Sequence, residues 1–479
     1  MTETLLLSHR IAGRAIVGAT AFEQRNPALP DDLCVEGPEA TASQAAEAAH
    51  AARGAVDALE AAGIEARADA LARVGRALAA DADRLALLIA RETGKTLGDS
   101  KGEVMRASRL FDFFAGEALR NVGERFASTR AGATVEVDYA PVGVVGAITP
   151  WNFPIAIPAW KIAPAIAYGN AVVWKPSEIS SATADALMTI IEGAGLPTGT
   201  VNMLLGAGGA GAAVTGADGI DAISFTGSVA TGARVRSAAA ERGVRVQLEM
   251  GGVNGLIVMA DADLDNAVDT ALNGAFFAAG QRCTATSRII VEAAIADRFV
   301  EALKARVAAL KIGDPRDPVT QVGPLAAPRQ KELIVRQVAE VEATGLQPLF
   351  GGSAAAMDHC FYAPTLFDHV PGDNTLGHNE IFGPVAGVFR VGGFEEAIQL
   401  LNGNRFGLSA GICTRSLRHA EEFKRRARAG MLMVNLPTAG VDYHAPFGGT
   451  AASSYGPREQ GRAARTFYTT MKTSYQKPI

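Results

Sequence analysis

From residue 142 to residue 258, short β-branched and apolar runs alternate with helix-forming stretches, a pattern that few folds accept. The runs 142–148, 171–174, 201–205, 222–225 and 246–248 are strand-length, and the stretches 155–167, 181–193, 208–214 and 229–241 between them read as helices. Parallel neighbours need a long crossover, and a helix supplies it while burying one face on the sheet. The pattern predicts βαβ units, with ligands at the carboxyl ends of the strands. A second run of the same kind follows. It comprises helix 264–279, strand 286–291, helices 295–310 and 328–344, strands near 348–351 and 384–391, helix 394–401, strand 408–413 and helix 417–429. The expected class is α/β, with two doubly wound domains: a Rossmann-like nucleotide-binding domain from 1–121 and 142–250, and a catalytic domain from 251–450.

Residues 1–36 read as a starting arm of short strands and turns. Thr41 is an N-cap candidate for a helix to residue 62, and helices 65–93 and 98–122 follow as packing scaffold. The run 133–139 changes to period two, a half-exposed strand. It is expected to pair outside its own domain, with the tail strand 466–475 or with a neighbouring subunit. Segments 122–141 and 462–479 thus form a small β oligomerisation arm, in a homodimer or homotetramer. Over 479 residues the net charge is −5 with both signs mixed, so neither nucleic acid nor an anionic membrane is an evident partner. No apolar run approaches the ~20 residues of a bilayer span, and residues 1–18 lack a leader pattern. Four scattered cysteines and seven histidines show neither a disulfide framework nor metal spacing, so no metal is expected. Reduced thiols and a cytoplasmic location follow.

The strand ends carry the chemistry. Thr149-Pro150-Trp151-Asn152-Phe153-Pro154 follows the first strand, Lys175-Pro176-Ser177-Glu178 the second, and Thr226-Gly227-Ser228 opens a helix. A Gly-Ser helix start offers free N–H groups to a phosphate. Lys175 and Glu178 suit ribose hydroxyls, because a carboxylate accepts from a free 2′-OH and repels a 2′-phosphate. Each turn alone is equally an ordinary helix cap, and the GxGxxG fingerprint is absent; three such turns on one sheet favour a nucleotide. Glu249 ends a strand before Gly251-Gly252, where a partly buried carboxyl has the raised pKa of a general base, or caps a turn. Cys283, in Gly280-Gln281-Arg282-Cys283-Thr284, sits between helix and strand beside a permanent cation, which favours the thiolate. A lone cysteine is also a common small buried hydrophobe, so its partners decide.

Taken in order, TPWNFP at 149–154, WKPSE at 174–178, FTGS at 225–228, EMGG at 249–252, GQRCT at 280–284 and EIFGPV at 380–385 resemble the aldehyde dehydrogenase superfamily over essentially the whole chain. The resemblance implies that Cys283 attacks an aldehyde carbon while the Asn152 amide and the Cys283 N–H hold the oxyanion. Hydride then passes to a nicotinamide, and water activated by Glu249 hydrolyses the thioester. The resemblance places Trp151 and Ser228 near the pyrophosphate, Lys175 and Glu178 on the adenosine ribose, and Glu380 and Phe382 around the nicotinamide ribose. Ile148, Thr149, Ser177 and Gly227 complete the cofactor set. Glu178 implies NAD, since NADP users usually carry a small residue there, although some members with this Glu accept both.

Phe153, Trp160 and Phe447 match tunnel positions of the family. The loop 435–461 looks most like bacterial α-ketoglutaric semialdehyde (2,5-dioxovalerate) dehydrogenases, which implies a carboxylated semialdehyde such as 2,5-dioxopentanoate, with Arg282 and His444 as candidate cations. Succinic semialdehyde enzymes usually have arginine at Trp160; an aliphatic, aromatic or broad specificity is the alternative. Relatives carry Arg-Lys at Thr450-Ala451, Lys at Val253 and Pro at Gly255. An inactive structural relative would lack the nucleophile or base, an acylating coenzyme-A-dependent member normally lacks Glu249, and a thiol hydrolase would need a histidine beside Cys283.

Overall fold

The computed structural model describes residues 3–120, 122–353 and 356–479. Thr41 opens the first long helix with a capping box: its hydroxyl accepts from Gln44 N at 3.3 Å, and the Gln44 side chain accepts from Thr41 N at 2.9 Å. That helix, Ala42–Ala80, kinks at Gly63, whose φ of 82° only glycine adopts freely, beside the expected end at residue 62. The expected helix 65–93 is interrupted at Asp81, which leaves helical geometry, and Ala82–Thr93 continues until Gly94 turns left-handed. Helix Leu97–Ala118 completes the scaffold; Asn121, which the expected helix included, lies outside the described residues.

An eight-stranded sheet takes the order Ser454–Tyr455, Arg245–Met250, Ala222–Gly227, Val144–Ile148, Ala171–Lys175, Val201–Met203, His9–Ile11, Arg14–Ile16. Its middle five strands are parallel and joined by helices, as the alternation requires. Its rims were not foreseen: the N-terminal arm adds two antiparallel strands, and Ser454–Tyr455 adds another beside Arg245–Met250. A seven-stranded sheet takes the order Pro348–Phe350, Thr365–Phe367, Val385–Val391, Thr286–Glu292, Asn254–Val258, Ser409–Cys413, Met431–Val434. All its pairings but the first are parallel. The central strands of both sheets are buried on both faces, which is why they read as unbroken apolar runs.

The scaffold helices close one face of the first sheet. Phe111 and Phe114 are fully buried there, each contributing about 1.5–3 kcal/mol, and Trp174 and Tyr468 are buried with them. A separate antiparallel sheet places Thr134–Pro141 between Glu124–Ala127 and the tail strand Thr469–Gln476, leaving Phe126, Met471 and Tyr475 exposed. No described helix is long and apolar enough to cross a membrane.

Candidate active site

The chain runs outward from Val144–Ile148 in one direction and then returns to its other side at Ala222–Gly227, so the loops after these neighbouring strands diverge. A cavity of about 320 Å³ opens there, and Asn152, Glu249 and Cys283 all line it. Three segments far apart in the chain thus converge on one space.

The cysteine loop is built under strain. Ala278 and Ala279 have φ of 54° and 52°, and Gly280 has 66°. Each non-glycine residue in that region costs roughly 1–2 kcal/mol. A Cβ at Gly280 would lie 2.0 Å from Gly383 O, so only glycine fits. Cys283 is half-buried, and its thiol is pushed up to about 12 by burial, then by the Glu380 and Glu249 carboxylates. The expected thiolate promoted by Arg282 is corrected here. The Arg282 guanidinium turns away from the cavity, 3.8 Å from Asp99 and 3.4 Å from Asn273, and two carboxylates set the field at the sulfur instead.

Asn152 Nδ2 donates to Gln281 O at 3.0 Å, which engages one of its two N–H groups and ties it to the cysteine loop. The loop bearing Asn152 is anchored by Glu103, whose Oε1 accepts from Ile155 N at 2.8 Å and Ala156 N at 3.1 Å while Lys95 balances its charge. Glu249 accepts from Ser454 Oγ at 2.5 Å. Burial, then the nearby Glu459 carboxylate, holds the Glu249 pKa well above the usual range, against the pull of Ser454, Lys161 and Arg458. Beneath it Lys161 pairs with Glu459 and donates to Ser224 Oγ at 2.7 Å, a buried charge pair unseen in the sequence reading.

The expected cofactor residues divide into two groups. Trp151, Gly227, Ser228, Glu380 and Phe382 line the cavity, with the Trp151 and Phe382 rings edge-on at 5.7 Å. Ser228 caps helix Val229–Glu241, accepting from Thr231 N at 3.3 Å. Glu380 accepts from Gly252 N at 3.0 Å, and its pKa rises to about 7 through burial. Ile148, Thr149, Lys175, Ser177 and Glu178 lie along the neighbouring strand ends. Thr149 Oγ1 accepts from Trp174 Nε1 at 2.9 Å, and Lys175 Nζ stands 3.8 Å from Glu178. Thr226 Oγ1 and Gln337 Oε1, in two residues that line the cavity, are buried and have no hydrogen-bond partner among the described residues. The described residues include no group of three or more His, Cys, Asp or Glu placed to hold a metal.

Of the expected tunnel residues, Trp160 and Phe447 line the cavity, their rings stacked at 5.3 Å and 28°. Phe153 does not line it: its ring packs on the scaffold core under Lys95 Nζ, 3.9 Å from the centroid. His444 is exposed, edge-on to Tyr443, because its backbone is seated on Gly461 and the loop sends Phe447 inward instead. Arg329 lines the cavity, and a second arginine, Arg106 on the scaffold helix, stands against the Trp160 ring without being among the lining residues. Its guanidinium lies 5.8 Å from the Trp160 ring centroid, donates to Val441 O and, at 3.1 Å, to Gln460 Oε1, and leaves Nε unpartnered. Burial lowers its pKa, against the opposing pull of Glu103, Asp442 and the Cys283 sulfur. One arginine on an amphipathic helix gives no sequence signal of this. Val253 and Gly255, departures from the relatives, lie by Arg288 and Leu401 rather than in the cavity; a Cβ at Gly255 would stand 2.5 Å from Leu401. Thr450 and Ala451 are exposed, paired with Phe406–Gly407.

With that geometry in place, similarity to known proteins is informative. The profile of the Aldehyde dehydrogenase family matches residues 16–474. The chain is 40% identical over 401 residues to an alpha-ketoglutaric semialdehyde dehydrogenase of Bacillus subtilis, covering 83% of this chain and 82% of that protein. It is 38% identical over 410 residues to a betaine aldehyde dehydrogenase of Cereibacter sphaeroides, covering 85% and 84%. Its fold matches the crystal structure of an NAD-dependent aldehyde dehydrogenase from Sinorhizobium meliloti with a TM-score of 0.96 and 32% identity, covering 99% of this chain and 95% of that one.

Proposed function

Because the chain belongs to the aldehyde dehydrogenase family, we propose that it is an NAD-dependent enzyme that oxidises a carboxylated semialdehyde, foremost 2,5-dioxopentanoate, at Cys283. The observation that carries this is the convergence of Cys283, Asn152 and Glu249 on one cavity, with Arg106 against its Trp160 wall. The Cys283 sulfur adds to the aldehyde carbon after losing its proton, for which Glu249, a stronger base than a free carboxylate, lies in the same cavity. The second N–H of Asn152 and the Cys283 N–H receive the oxyanion. When bound between Trp151, Ser228, Glu380 and Phe382, NAD supplies the hydride acceptor. Loss of hydride leaves a thioester on Cys283. Once Glu249 has passed the Cys283 proton to solvent, it takes a proton from water as the oxygen attacks the thioester carbon; the C–S bond breaks, the sulfur takes the acid's proton and the carboxylate leaves. Glu178 beside Lys175 supports NAD over NADP.

In this reading the distal carboxylate approaches the Trp160 wall, against which Arg106 stands. Of the five N–H groups of a guanidinium, two are engaged by Val441 O and Gln460, leaving three. The stacked Trp160 and Phe447 rings would also suit a quaternary ammonium, as in the betaine aldehyde relatives, but a guanidinium at that wall repels a cation. The four free cysteines suit a reducing cytoplasm, and the exposed Phe126, Met471 and Tyr475 of the small sheet support a homodimer or homotetramer built on it. The test is kcat/KM across 2,5-dioxopentanoate, succinic semialdehyde, pentanal and betaine aldehyde with NAD. The first should lead, and equal or better turnover of pentanal or betaine aldehyde overturns the assignment.

A further inference from the structure

Three consecutive carbonyls follow the cavity sulfur, and each is held by a side chain from elsewhere in the fold. Asn254 Nδ2 donates to Cys283 O and Ala285 O, both at 2.8 Å, and Thr438 Oγ1 donates to Thr284 O at 2.8 Å between them. Neither donor is free to turn. Asn254 Oδ1 accepts from Ser409 N at 3.1 Å, which fixes which end of the amide faces the loop. Thr438 Oγ1 gives its proton to Thr284 O, so in its 2.7 Å contact with Thr286 Oγ1 it is the acceptor. Both residues are buried.

The strand pairing shows how Asn254 reaches the loop. It is the first residue of Asn254–Val258, and the register with Thr286–Glu292 slips between Asn254 and Gly255. That slip lets the side chain take up carbonyls that a regular ladder would have paired. Gly252 packs against the clamp: a Cβ there would lie 2.8 Å from Asn254 Oδ1 and 3.3 Å from Cys283 O. Upstream of the sulfur the loop is strained through Ala278 and Ala279, and Gln281 O receives Asn152. A loop that stores strain on one side of its nucleophile requires restraint on the other to keep a single geometry.

We propose that Asn254, assisted by Thr438, is a positioning residue for addition to the aldehyde: without touching substrate, it pins the peptide units on both sides of Thr284 so that the Cys283 sulfur and N–H meet the same carbonyl. This rests on Cys283 as the nucleophile. Misplacing reacting groups by about 1 Å costs up to roughly 100-fold in rate. Asn254→Ala should therefore slow single-turnover NADH formation about 10- to 100-fold, with KM for NAD within about threefold, because the cofactor contacts lie elsewhere.

Alkylation of Cys283 by iodoacetamide, followed by peptide mass, separates positioning from loss of the site. It needs an accessible thiol but no oxyanion donor, so it should stay within about threefold of wild type. Thr438→Val should slow the same single turnover and Thr438→Ser restore it, because only the hydroxyl donor matters. A folded Asn254→Ala enzyme with the wild-type single-turnover rate overturns the proposal, as does alkylation that falls in step with turnover. If Asn254→Ala does not fold, an unchanged rate in Thr438→Val overturns it. Wild-type activity that survives complete alkylation of Cys283 would remove the nucleophile assignment instead.

Discussion

Replacing Arg106 with methionine isolates the substrate-recognition argument. The change keeps an apolar stem near Trp160 and removes a guanidinium with three uncommitted N–H groups. A hydrogen bond to a charged partner is worth about 1.5–3 kcal/mol, or roughly 10- to 150-fold in transition-state stabilisation. The variant also strips donors from Val441 O and Gln460, so absolute rates mix recognition with local repacking. A ratio between substrates cancels that part. The assay is kcat/KM by NADH absorbance on 2,5-dioxopentanoate and on pentanal, which has the same chain length and no carboxylate. The 2,5-dioxopentanoate value should fall about 10- to 150-fold while pentanal changes by no more than about threefold. Equal losses on both, or no loss on either, would refute the idea that this arginine reads the distal carboxylate.

Glu249→Gln removes the group that activates water, so the variant should release a single burst of NADH and stall as the thioester; undiminished steady-state turnover would exclude Glu249 as the base. In the free enzyme the Cys283 thiol stands near 12, so iodoacetamide alkylation should climb about tenfold per pH unit from 7 to 10 without levelling. Glu380 is the largest charge holding that thiol protonated, so Glu380→Gln should speed alkylation at a fixed pH, and an unchanged profile would contradict that field. Glu178→Ser removes the carboxylate opposed to a 2′-phosphate and should shift the kcat/KM ratio toward NADP; a constant ratio would place ribose selection elsewhere.

What the sequence determined was whatever repeats or caps locally. Alternating strand and helix runs announced both doubly wound sheets; Thr41 and Ser228 marked helix starts; period two at 133–139 announced the strand that pairs with Thr469–Gln476. The neighbourhoods of Asn152, Glu249 and Cys283 were legible because each motif sits where a strand meets a helix or turn, and a short stretch of chain dictates such a junction. Tertiary structure alone decided which way side chains face and which distant groups meet. Arg282 and Cys283 are adjacent, yet one turns to Asp99 and the other into the cavity. Arg106, Ser454 and Glu459 reach the site from a scaffold helix and from the C-terminal segment, and Asn254 reaches the cysteine loop through a one-residue slip in strand register. Local periodicity is written in neighbouring residues, whereas the field at a buried sulfur is the sum of charges whose distances exist only after the chain has closed on itself.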